Sequence, residues 1–126
     1  MALKVTTEDK GSGIFTVRPV GSIDANTHPI LGSQVDEIFT KSPKLIIFDM
    51  KDVQYVSSAG ISVILSTEKS LKSSNGKVLM VNLQPQIRKV FEIVQALPPQ
   101  QIFSSVQEMD AYLSTIQRKV KEGEIE

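Results

Sequence analysis

Apolar positions recur along the chain with two rhythms, and the changes between them divide it into strands and helices. Leu3 to Thr7 and Ile14 to Val20 predict two strands, joined by Glu8-Asp-Lys-Gly-Ser-Gly13, a turn-rich hairpin connection. No Gly-Lys-Ser/Thr and no helix follow that Gly-Ser-Gly, so it reads as turn chemistry rather than a phosphate loop. Gly21-Ser-Ile-Asp24 predicts a short connector. Leu31, Val35 and Ile38 then take helical spacing up to about Thr40, with Asn26 or Thr27 as cap and Pro29 in the first turn. Ser42-Pro43 breaks this helix.

Leu45-Ile-Ile-Phe48 and Val78-Leu-Met-Val81 are unbroken apolar runs, the pattern of strands buried on both faces in a parallel sheet. Between them a helix from about Ser58 to Ser74 carries Ile61, Ile64, Leu65 and Leu71 on one side, with Glu68 and Lys72 spaced as an i,i+4 pair. Asn75-Gly76 ends it through the left-handed conformation. Strand, helix and strand predict a βαβ unit with a right-handed crossover. Pro85 opens a third helix through Ile87, Val90, Phe91 and Val94, and Leu97-Pro-Pro99 stops it. Gln101-Ile-Phe103 predicts a last short strand. Val106, Met109, Leu113, Ile116 and Val120 form the apolar stripe of a final helix, read as core or as a dimer or partner surface. One α/β domain over residues 1–126 is expected, ordered to about residue 120, with 121–126 a frayed tail.

Composition narrows the function classes. The 14 basic and 14 acidic residues of this 126-residue chain cancel, which argues against bulk electrostatic capture of nucleic acid or anionic membrane. Cysteine is absent, so thiol catalysis and disulfides are excluded and a reducing compartment fits. The N-terminal residues lack a signal-peptide core and no apolar run reaches membrane-spanning length, so a soluble cytoplasmic protein is expected.

Asp52-Val-Gln-Tyr-Val-Ser-Ser-Ala-Gly-Ile61 carries the most information. It places Ser57 and Ser58 at a helix N-terminus just past the carboxyl end of a strand. Free backbone N–H groups and the helix dipole favour negative charge there, which suits a phosphorylation switch or an anion site. Simple helix capping accounts for two serines equally well. Three features favour function: a loop from Asp49 to Ser57 longer than usual, Gly60 leaving the serines open to a partner, and the location at the carboxyl edge of a parallel strand. His28, the single histidine, could be drawn into a triad with Ser58 and Asp24 or Asp49. The serine lies outside a Gly-x-Ser-x-Gly elbow, however, and His28 reads as a packed or solvent-facing residue near a helix start. Ser66-Thr-Glu-Lys69 has the bare Ser-x-x-Lys spacing mid-helix, without companion motifs. Asp49 and Asp52 lack a third ligand, so loop capping or partner contact is favoured over a cation. Neither a metal nor a cofactor is expected.

Four segments in register resemble the STAS family, the sulfate-transporter and anti-sigma-factor-antagonist domains. They are Gly21-Ser-Ile-Asp24, Leu45-Ile-Ile-Phe-Asp49, Val53-Gln-Tyr-Val-Ser-Ser-Ala-Gly-Ile61, and the pair Asn75-Gly-Lys-Val with Pro85-Gln-Ile-Arg-Lys-Val-Phe91. The resemblance implies a STAS-like α/β fold: a mixed sheet of about four or five strands against about four helices, mainly on one side. It also implies a regulatory binding protein rather than an enzyme, an anti-sigma factor antagonist that holds an anti-sigma factor with serine kinase activity. Phosphorylation, carried over to Ser58, would release that partner, and a serine phosphatase would reset the switch. Asp24, Ser57, Ser58, Ala59 and Gly60 would form the partner surface. Ser57 stands where the family often has Asp, and Ala59 where it often has Ser or Thr. A monomer or weak dimer is expected. The alternative is a STAS subunit of a larger assembly, such as a lipid-transport or stress-sensing complex, never phosphorylated at Ser58.

Overall fold

In the computed structural model of the chain, residues 2–96 and 103–125 are described. The first two expected strands form a hairpin. β1 (Lys4–Gly11) runs antiparallel to β2 (Ile14–Ile23), from Lys4↔Val20 to Gly11↔Ile14. The reversal passes through positive φ at Gly11 (84°), Ser12 (59°) and Gly13 (80°), so the Gly-Ser-Gly is a turn as its chemistry predicts.

β2 is ten residues long and serves two parallel neighbours. Ile14–Val17 pairs with β3 (Leu45–Asp49), and Gly21–Ile23 pairs with β4 (Val53–Val56). β5 (Lys77–Val81) lies parallel to β3 on its other side, giving the order β1-β2-β3-β5 with β4 against the far end of β2. Two expectations change here. Gly21–Ile23 is the end of β2 rather than a connector, and the supposed long loop after Asp49 is a turn followed by β4. Four residues of alternation, Val53-Gln-Tyr-Val56, are too few to stand out as a strand period.

Among the described residues there are four helices: α1 (His28–Phe39), α2 (Ser58–Ser73), α3 (Pro85–Ala96) and α4 (Val106–Lys121). Phe15 and Val17 of β2 stand in register with Ile46 and Phe48 of β3 on one face of the sheet. All four are buried, in one cluster with Leu31 of α1, Ile64 of α2, Val90 of α3 and Leu113 of α4. Each such side chain stabilises the fold by about 1.5–3 kcal/mol when fully withdrawn from water.

The opposite face is less covered. Leu45 and Ile47 are half-buried, while Leu79 and Val81 on the edge strand β5 are 43% and 37% exposed. Only one face of each run is packed, fully at Ile46 and Phe48 of β3 and partly at Val78 and Met80 of β5, because the helices gather on that side. Leu65, expected in the core, lies at the outer side of α2, and Val106 is 64% exposed at the start of α4. Asn75 takes the left-handed conformation (φ 63°) that ends α2. Gly76 serves a different need: a Cβ there would come within 2.7 Å of the Lys44 carbonyl oxygen. Residues 101 and 102 of the expected last strand lie outside the described residues, and Phe103 is not in a strand. Among the described residues no helix is long and apolar enough to cross a membrane.

Candidate functional site at the start of α2

β4 delivers the chain directly into α2. The Ser57 N–H donates to the Ile23 carbonyl oxygen at 2.8 Å, extending the contact with β2 by one residue. Ser57 is then the N-cap, its hydroxyl oxygen accepting from the Gly60 N–H at a long 3.5 Å. A Cβ at Gly60 would lie 2.7 Å from Ile23 Cγ2 and 2.9 Å from the Ile23 carbonyl oxygen. Glycine is thus required by the approach of the first turn of α2 to β2. Gly60→Ala should cost about 1–3 kcal/mol through overpacking against a strand that cannot yield, read as a lowered urea midpoint at unchanged slope.

This close approach decides what the surface shows. Ser57 and Gly60 are buried, whereas Ser58 and Ala59 are half-exposed. The Ser58 hydroxyl makes no hydrogen bond among the described residues. Its backbone N–H, one of the free donors of the helix start, donates to Asp110 Oδ1 of α4 at 2.8 Å. Below it the Tyr55 hydroxyl and Ser114 Oγ are 2.7 Å apart.

One turn further along α4, the Gln117 amide bonds both backbone groups of Val56. Gln117 Oε1 accepts from the Val56 N–H at 2.9 Å, and Nε2 donates to the Val56 carbonyl oxygen at 2.8 Å. Gln86 Nε2 of α3 donates to the neighbouring Gln54 carbonyl oxygen at 3.0 Å. Among the described residues β4 pairs with β2 alone, so these two buried amides occupy the place of a second strand neighbour. Asp110, Ser114 and Gln117 are the site residues that sequence reasoning missed. They border the apolar stripe at Leu113 with i, i+4, i+7 spacing, and that spacing was the available signal.

Asp24 lies at the turn from β2 into α1. Its Oδ1 accepts from the Asn26 and Thr27 N–H groups at 2.9 and 3.0 Å, and its own N–H donates to Thr27 Oγ1 at 2.9 Å. Thr27 is the N-cap of α1 by position, yet its side chain makes no cap bond, because its hydroxyl donates to the Ser22 carbonyl oxygen at 2.8 Å. Partial burial pushes the Asp24 carboxyl up, but the Asn26 and Thr27 hydrogen bonds outweigh it and hold the group below its ordinary value. A lowered folded-state value means the stabilisation is whole above the ordinary carboxylate range and is lost as pH falls through the depressed value. Asp24→Asn keeps an acceptor without a titrating proton. Its melting temperature should therefore fall less than the parent's between pH 6 and pH 3.

Asp49 is likewise engaged within the fold. Its Oδ1 accepts from Asn82 Nδ2 at 3.1 Å and from the Lys51 N–H at 3.3 Å, and Arg18 Nε lies 3.7 Å from Oδ2. This is the loop-capping role, and among the described residues no group of three or more His, Asp or Glu could hold a metal ion. His28 lines an open groove between α1 and α2, together with Asp36, Ala59 and Ser62. Ser58 opens instead into a groove beside α4, with Ile61, Leu65, Val94 and Met109. No hydrogen bond joins His28 to Ser58, so the structure does not bring the drawn triad together.

The sequence profile of the STAS domain matches residues 6–109, which include the whole site up to the first turn of α4. The anti-sigma-B factor antagonist of Bacillus subtilis is 30% identical over 77 residues, 61% of this chain and 70% of that protein. The anti-sigma F factor antagonist of Paenibacillus polymyxa is 26% identical over 82 residues, 64% of this chain and 70% of that protein. Among solved structures, the unphosphorylated form of the Bacillus anti-sigma factor antagonist SpoIIAA superposes with a TM-score of 0.62 at 21% identity, over 71% of this chain and 83% of that one. The phosphorylated form of SpoIIAA gives the same TM-score, 0.62, over 71% of this chain and 82% of that one. The profile match spans most of the sequence and the SpoIIAA fold superposes on it: the chain belongs to the STAS domain family.

Proposed function

We propose that this chain is a cytoplasmic anti-sigma factor antagonist that works by partner switching: it binds an anti-sigma factor with serine kinase activity and lets go when Ser58 is phosphorylated. The observation that carries this reading is Ser58 itself, a half-exposed serine in the first turn of α2 whose hydroxyl makes no hydrogen bond among the described residues. Ser58, Ala59 and Asp24 supply the contact surface, and buried Ser57 and Gly60 hold that surface in place. The relatives named for antagonism of anti-sigma factors support the partner class, and a serine phosphatase completes the cycle. The solved relative shares this fold in both its unphosphorylated and phosphorylated forms, which fits a switch that acts at a surface without dismantling the domain.

The test is to incubate the purified chain with ATP and lysate of its own organism and to locate phosphate by peptide mass spectrometry. Phosphate confined to Ser58 is expected. An unmodified chain, beside an active control kinase, would overturn the switch. It would favour the second reading, a STAS subunit of a larger assembly, to which exposed Leu79 and Val81 on the open sheet face lend support.

A further inference from the structure

The contact between Asp110 and the start of α2 has a consequence for the phosphorylated state. The Ser58 N–H is a first-turn donor that a phosphate on the Ser58 hydroxyl would seek, because free N–H groups and the helix dipole both favour an anion there. In the unmodified chain that donor belongs to the Asp110 carboxylate at 2.8 Å. A phosphoserine brings about −1.5 to −2 charges to the same place. Two anions then contend for one donor, and like charges at such separation repel.

The yielding element is identifiable. The first two turns of α4 are held more lightly than the second half: Met109 packs against the core, Ser105 caps the helix and Tyr112 lies beside Phe103, but Val106 is 64% and Tyr112 42% exposed, and residues 104–108 are all exposed. The second half is anchored by Leu113 and Gln117, both at most 2% exposed, and by the paired bonds of Gln117 to Val56. The start of α2 is fixed in turn by the Ser57–Ile23 bond and by the close packing of Gly60. Strain between phosphate and Asp110 is therefore relieved at the N-terminal half of α4.

We propose that phosphorylation of Ser58 expels Asp110 from the start of α2 and releases the first two turns of α4, while Gln117 keeps the second half docked. This inference rests on the reading of Ser58 as the phosphoacceptor. Release would widen the apolar groove between Ser58, Ile61, Val94 and Met109, so the phosphorylated chain would differ from the unmodified one in shape as well as charge.

The test installs phosphoserine at position 58 of the full chain during translation, so that it needs no kinase, and reads amide hydrogen exchange along α4. In the phosphorylated chain, amides of residues 110–112 should exchange about tenfold faster or more than in the unmodified chain, and those of 117–120 at the same rate. Asp110→Asn keeps a carbonyl acceptor for the Ser58 N–H and removes the charge. In that background phosphate should change exchange at 110–112 by less than about twofold, the charge being the cause. Equal exchange in the phosphorylated and unmodified chains would overturn the proposal, as would an undiminished effect of phosphate in Asp110→Asn. Failure of any kinase to modify Ser58 would remove the switch yet leave this coupling measurable. Partner release with unchanged exchange would instead keep the switch and remove the coupling.

Discussion

Phosphate on Ser58 should weaken binding to the anti-sigma factor by roughly 100- to 1,000-fold while leaving most of the fold in place. The two sides of the switch differ in scale. Within the domain, α2 offers an exposed anion only ~0.3–1 kcal/mol of compensation. At a protein interface the same group must be stripped of water, at a cost of several kcal/mol for each ion after relaxation. Each ~1.4 kcal/mol is a factor of ten in affinity, so a loss of about 3–4 kcal/mol gives the stated range. Titration calorimetry with the purified partner would read it directly. Ser58→Ala should bind as the unmodified chain does and should not be released by ATP. Ser58→Asp carries one charge on a shorter arm and should lose about tenfold. Affinity of the phosphorylated chain within threefold of the unmodified one would end the partner-switching account, whatever the site of phosphate.

Gln117→Leu should lower the melting temperature by roughly 10 °C. Leucine nearly matches the volume of glutamine, so packing is little altered. What is lost is the pair of hydrogen bonds to Val56, whose N–H and carbonyl oxygen have no strand neighbour on that side. Each backbone group left buried and unpaired costs about 1–3 kcal/mol, and two together cost about 2–6 kcal/mol. That is a large part of the ~5–15 kcal/mol by which a domain of this kind is stable. Gln117→Glu separates the two bonds. It retains the acceptor for the Val56 N–H but sets a carboxylate against the Val56 carbonyl oxygen, and it should be at least as destabilising at neutral pH. Thermal melts followed by circular dichroism suffice. A leucine variant melting within 2 °C of the parent would mean that water, or a shift of α4, satisfies β4 without Gln117.

The pattern of apolar positions was enough to place the four helices and four of the five strands among the described residues: the helices repeat their period, and β3 and β5 stand out as unbroken apolar runs. Ser57 and Ser58 at the start of α2 were legible for the same reason: the apolar stripe of α2 marks where its cap must lie. β4 was not legible. Its four residues show a single alternation, and it counts as a strand only because the end of β2 lies beside it. The exposed face of β5 was hidden in the same way, since an unbroken apolar run looks alike whether one face of a strand is covered or both.

The site divides along this line. Local sequence by itself determined the serine pair at the start of α2, its cap and the turn at Asp24, each built from residues within a few positions of one another. Only the tertiary structure decided that Gly60 packs against β2, that Ser57 is buried, and that Asp110 and Gln117 reach the site from α4. Asp110 is 52 residues from Ser58 in sequence, and Gln117 is 61 from Val56. No local pattern encodes such pairs. They arise because β4 has one free edge and α2 a free N-terminus, and buried backbone groups must find partners wherever the packing of α4 brings them.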